Sequence, residues 1–137
     1  MTDSPVAKYV KPETFAREAR QRFAFLVDVL GFVGPVVEDS RLLYTAAAFS
    51  VEIHYDHRDG RVITIIDATV GSRNPRAGLR CLYVESGLGA AQQIRDIART
   101  ERSLESALGS QAAALNKLVP VLEGGEGQTL LLACHGR

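Results

Sequence analysis

A chain of 137 residues in which sixteen Lys and Arg are balanced by sixteen Asp and Glu has zero formal charge. No global field draws it toward a polyanion or an acidic membrane surface, and bulk nucleic-acid binding is disfavoured. The length suits one domain able to bury roughly 65 to 70% of the surface its unfolded form exposes. The opening MTDSPVAKYVKPETF lacks the continuous apolar region of a secretory signal, and no later run approaches the ~20 apolar residues of a spanning helix. A cytoplasmic location is the default expectation.

The first ten residues read as a tail, and residues 11–137 as a single domain. Pro12 stands where proline favours a first helical turn, with Glu13 and Arg17, then Glu18 and Arg22, at i, i+4 spacing. Phe15, Ala19, Phe23, Leu26, Val27 and Leu30 recur at three- and four-residue steps, which predicts one amphipathic helix. Gly31 is its left-handed cap and Phe32 the hydrophobic contact beyond it.

From Gly34-Pro35 the pattern becomes extended, in segments at 36–39, 41–49, 50–56 and 61–69. Val51, Ile53 and Tyr55 alternate with Glu52, His54 and Asp56, giving one apolar and one wet face. The next segment differs: Val62 and Ile66 point to one side while Ile63 and Ile65 point to the other, as expected of an inner strand covered on both faces. Thr45 to Ala48 carry small side chains that would let another element approach. GSRNPRAG at 71–78 reads as a mobile loop before a short strand at 79–84.

Past Gly87 and Gly89 the chain reads as helical, either continuously or as two helices over 88–99 and 101–122, with Gly109 and Pro120 weakening the second. GGEG at 124–127 ends it, and TLLLAC at 129–134 reads as a strand or tail. The whole predicts an α+β fold: an N-terminal helix, an antiparallel meander of four to five strands, and one or two C-terminal helices packed on the sheet. Cys81 and Cys134 belong to no CxxC pair, so two reduced thiols are expected, with a bridge the alternative if the C-terminal segment packs beside 79–84.

Glu52, His54 and Asp56 share one strand face, a comb that could hold a divalent metal or run acid–base chemistry. The favoured reading is the sheet's solvated side, with His54 and Asp56 the weak metal candidates. Arg73, Arg76 and Arg80 form a basic loop that could clamp a phosphate or carboxylate through forked hydrogen bonds. Arg95, Arg99 and Arg102 would align along a helix. Neither set is interleaved with aromatic residues as a single-strand binder would need. Gly87-Leu88-Gly89 lacks the third glycine and the lysine of phosphate loops and reads as a cap. No serine sits in a GxSxG elbow, so a hydrolase triad has no support. No cofactor is expected.

The string RFAFLVDVLGF followed by VEIHYDHRDGRVITI resembles a broad class of small bacterial α+β proteins. The matching residues are Phe23, Phe25, Leu26, Gly31 and Phe32, then Val51, Ile53, Asp56 and Arg58, and finally Leu115, Leu118, Leu122 and Gly124. Some such proteins look like immunity proteins of toxin systems, so the resemblance implies binding and blocking a partner rather than a reaction. The preferred reading is therefore a non-catalytic protein-binding module, in its most specific form an immunity-like inhibitor, with Ile63 and Ile65 offered to another chain, self or heterologous. The alternative is a small-molecule sensing domain with a pocket between helices and sheet, anchored by Arg73, Arg76 or Tyr44. An enzyme working around His54 comes last.

Overall fold

A computed structural model of the protein describes residues 9–137. It is an α+β fold with helices at both ends of the chain and a five-stranded antiparallel sheet in order β1-β2-β3-β4-β5 between them. The strands are β1 (Val33–Glu38), β2 (Arg41–Thr45), β3 (Phe49–Asp56), β4 (Arg61–Ala68) and β5 (Arg76–Gly78). The helices are α1 (Pro12–Arg22), α2 (Ala24–Asp28), α3 (Leu79–Glu85), α4 (Glu101–Glu123) and α5 (Gly127–Ala133). Of the expected tail, residues 1–8 lie outside the described part. Val10 is buried, and its N–H donates to the Tyr55 hydroxyl at 3.2 Å.

Pro12 opens α1, as its fixed φ favours. The expected single helix to Leu30 is two, because Phe23 leaves helical geometry at φ −102° and ψ 11°. The predicted stop is present: Gly31 adopts φ +77°, and the N–H of Phe32 reaches back to the Leu26 carbonyl at 2.8 Å. Phe15, Phe23 and Leu26 thereby face Leu42, Ile53 and Tyr55 of the sheet, with the long helix α4 adding Leu104, Leu108, Leu115 and Leu118 to one core.

The alternation in β3 is realised: Val51, Ile53 and Tyr55 enter the core. On β4, Val62, Thr64 and Ile66 do the same. Thr64 is tolerable there because its hydroxyl donates to Gln111 of α4 at 2.6 Å. Gln111 in turn donates from Nε2 to the carbonyls of Val62 (2.9 Å) and Arg95 (2.8 Å), which locks α4, β4 and the segment after α3 together.

Four expectations need correction. Residues 79–84 are helical rather than extended, since Leu79, Leu82 and Tyr83 bury at the i, i+3, i+4 spacing of a helix. Residues 88–99 are not an α-helix: apart from a 3₁₀ turn at Ala91–Gln93 they are irregular, and Asp96 to Ala98 run antiparallel beside the start of β4. Val62 N–H donates to Asp96 at 2.8 Å and Ala98 N–H to Gly60 at 2.7 Å, so tertiary hydrogen bonds override the local period. TLLLAC lies largely in α5. Ala46 to Ala48 form the β2–β3 turn rather than strand.

The cysteines are also not reduced. Cys81 of α3 and Cys134, just past α5, are joined as a disulfide with their Cα atoms 5.9 Å apart. The C-terminal segment does pack beside 79–84, and His135 bridges to Ala77 on the outer edge of β5. α4 is a single helix, opened by a Thr100–Ser103 capping box and running through Pro120 to Glu123. Among the described residues no helix is long and apolar enough to cross a membrane.

Candidate functional site

Strand register sorts the side chains that the core leaves out. One cross-strand row runs Val36, Leu43, Glu52, Ile65, Gly78, and the next runs Glu38, Arg41, His54, Ile63. A third joins Thr45, Ser50, Asp67 and Arg76. All lie on the sheet face opposite the core: along β2, β3 and β4 these residues alternate with core residues, and Val36 and Glu38 of β1 join them by register. Ile63 is 38% exposed there, and Val36 54%. Leu43 and Ile65 are half-buried.

Glu52 departs from the expected wet side, being only 5% exposed. Its carboxylate lies between two guanidinium groups, with Arg76 Nη2 at 3.3 Å from each oxygen and Arg41 Nη1 at 3.7 Å. Arg76 also bonds Asp67 at 2.8 Å, and Arg41 bonds Glu38 at 3.4 Å. The result is a line of alternating charge, Glu38–Arg41–Glu52–Arg76–Asp67, crossing the face amid Leu43, Ile63 and Ile65. Burial opposes the charge on Arg76, but the bonds to Glu52 and Asp67 outweigh it and hold its pKa above the ordinary guanidinium value.

At one rim of this face an open cleft of about 570 Å³ lies between the β1–β2 and β3–β4 turns, lined by Ser40, Arg41, His54, Tyr55, Asp56 and His57 among others. The Ser40 hydroxyl bonds His57 Nε2, and the His57 ring meets Tyr55 edge-on at 4.8 Å. Burial depresses the His57 pKa below its usual value, the neighbouring His54 depresses it further, and Asp56 opposes both. The Nδ1 atoms of His54 and His57 are buried without a partner. Asp56 is committed to its turn, accepting from the backbone N–H of Arg58 at 2.9 Å and of Asp59 at 3.3 Å. The comb is therefore divided: Glu52 is spent on arginines, Asp56 on amides, and His54 stands by itself. Among the described residues no group of three His, Cys, Asp or Glu side chains could hold a metal ion.

The three loop arginines go to three places. Arg73 is exposed in a tight turn, trading backbone hydrogen bonds with Val70 at 2.8 and 3.0 Å. Arg76 crosses the sheet face as described. Arg80 sits on α3, donating to the Ile94 carbonyl at 2.7 Å and lying 3.6 Å from Asp96, whose carboxylate Arg61 also grips. Arg95 and Arg99 lie before α4 and Arg102 within it, so the expected helical row of three does not form. Tyr44 is packed in the core, where burial outweighs the opposing charge of Arg20 and pushes its phenol up to about 12.

Sequence reading missed the pairing of Ser40 with His57 and the Arg61–Asp96–Arg80 cluster. Partners 16 to 35 positions apart leave no periodic signal for it to detect. Comparison with family models, with curated proteins and with solved structures returns no match.

Proposed function

We propose that this chain is a non-catalytic protein-binding module whose contact surface is the sheet face opposite the helices, and that the surface accepts a second copy of the chain. The observation carrying this reading is Ile63, 38% exposed on β4 at the end of its cross-strand row, with Ile65 and Leu43 on the adjacent row of the same face. The charges around it alternate in sign, and the whole chain is neutral. A surface of that kind is complementary to another like itself rather than to a strongly charged partner. A two-fold pairing would stack two such faces as a sandwich. A heterologous partner, as in the immunity-like form of the reading, would use the same surface.

Five strands of three to eight residues, rising about 3.3 Å per residue and spaced about 4.8 Å apart, present about 500 Å². That is below the ~800 Å² per partner of a standard stable interface, so micromolar self-affinity is expected. The Cys81–Cys134 bridge favours an oxidising compartment over the cytoplasmic one expected from sequence.

Sedimentation velocity over a wide concentration range tests the reading. The expected result is a concentration-dependent dimer that Ile63→Asp weakens at least about tenfold without loss of helical signal. Val29→Asp, exposed but off the face, should leave it intact. A wild-type chain that stays strictly monomeric to several hundred micromolar would overturn self-association.

A further inference from the structure

The outer edge of β4 changes partner partway along. At its start, Val62 N–H takes the Asp96 carbonyl of the segment before α4. Further on, Ile65, Ile66 and Asp67 pair with β5. Between these two partners, at residues 63–64, no strand among the described residues lies alongside on that side, and a cleft of about 250 Å³ opens at the seam. Its apolar walls include Val62, Leu79 and Ile94, all buried, and its polar lining includes Arg61, Arg80 and Asp96. Gly78 forms part of the wall, and Arg137 also lines it.

The charge in this seam is unequal. Arg61 grips Asp96 through both Nε and Nη2. Arg80 is only 3.6 Å from the same oxygen, too far for a direct hydrogen bond, and spends one Nη2 proton on the Ile94 carbonyl. The Nε–H of Arg80 is shut away from solvent with no acceptor. Arg61 and Arg80 thus leave one positive charge over Asp96, while Arg137 turns its main-chain oxygen toward Gly78 and its guanidinium toward the Ala133 carbonyl. The rest of the Arg80 side chain is 43% exposed, and its Nη1 has no partner among the described residues, so beside these apolar walls it can take a small anion with an apolar tail. The polar groups of Thr64 and Gln111 are already satisfied by one another and by backbone, so they do not call for a polar tail.

We infer that the seam between β4, β5 and the segment 94–98 is a binding site for a short-chain monocarboxylate, its carboxylate taken by Arg80 and its alkyl tail laid against Leu79 and Ile94. A volume of about 250 Å³ has room for the short chain of butyrate. This site lies apart from the Arg73 turn and the Arg76 charge line; it shares Ile63 with the proposed contact surface, but its occupancy does not require self-association.

Titration of the full chain with butyrate, followed by backbone amide NMR, tests the inference, with n-butanol and inorganic phosphate as parallel probes. Butyrate should saturate in the millimolar range and shift the amides of Ile63, Thr64, Gly78 and Arg80. Phosphate and n-butanol should each bind at least about tenfold more weakly, for want of a tail and a charge respectively. Arg80→Gln should lose about tenfold in butyrate affinity, and Arg73→Gln should lose none. Should Arg80→Gln fail to fold, Arg80→Lys keeps the charge but removes the planar fork of Nη donors, and the same loss is expected. Absence of saturation, shifts located elsewhere, n-butanol or phosphate matching butyrate, or unchanged affinity in the folded Arg80 variants would each overturn the assignment.

Discussion

Gln111→Ala is the sharpest test of how the helices are fixed to the sheet. Gln111 is 2% exposed and makes three hydrogen bonds, to the Thr64 hydroxyl and to the carbonyls of Val62 and Arg95. The Arg95 carbonyl also accepts from Ser110 at 3.4 Å on an exposed segment, so its loss is small. Thr64, itself 2% exposed, has no other hydroxyl partner and would be left buried and unsatisfied, as would the Val62 carbonyl on this side. At roughly 1 to 3 kcal/mol per orphaned group, the two together predict about 2 to 6 kcal/mol of destabilisation. For a domain of this size that corresponds to a fall in Tm on the order of 10 °C. Thr64→Val removes the orphan hydroxyl at nearly constant shape, so the double variant Thr64→Val with Gln111→Ala should be less destabilised than the sum of the singles by roughly 1 kcal/mol or more. Urea unfolding of the four proteins measures the cycle. Additive singles, or a Gln111→Ala cost under about 0.5 kcal/mol, would mean that the buried network does not hold α4 to β4.

Two further outcomes follow from other contacts. The disulfide closes a loop with a sequence separation of 53 residues. Chain-entropy arguments then give about 4 kcal/mol, so Cys81→Ser should lower the urea midpoint while reductant should no longer affect it. An intact mass showing two free thiols in unreduced protein would refute the pairing. For His57, burial and the nearby His54 place the folded pKa below the ordinary 6.5. The unfolded chain therefore binds more protons between those two values, and this contribution to stability is complete above pH ~6.5 and is lost as pH falls toward the folded pKa. His57→Gln should flatten the stability profile in that window, and an unchanged acid slope would refute the assignment.

The fold class was legible because it rests on local periodicity. Val51, Ile53 and Tyr55 alternate strictly, α1 has its apolar stripe, and Gly31 supplies the positive φ that ends the N-terminal helices; each is a property of adjacent residues. The errors fell on short apolar runs. LRCLYVE and TLLLA are too brief for period to separate strand from helix, and both became helices packed on α4 and on one another. The segment at 94–98 has helical spacing, yet β4 offered backbone partners that a helix would have refused, and the pairing prevailed.

The candidate site was legible only in part. Ile63 and Ile65 were placed on the far face by parity alone, and register confirms the parity. Grouping Arg73, Arg76 and Arg80 by proximity in sequence failed, because a turn, a strand and a helix start within eight residues and send the three side chains in different directions.

Sequence by itself determined the class of fold, the start and stop of its first helical segment, and which faces of β3 and β4 the core would claim. Those depend on the pattern of neighbouring residues and on φ preferences. Tertiary structure decided that Glu52 would be buried beneath two arginines, that Cys81 would meet Cys134, and that β4 would exchange partners at a cleft beside Arg80. Each of these joins groups distant along the chain, and an unpaired buried charge, thiol or amide is indifferent to sequence spacing: its partner is whichever group packing brings within reach.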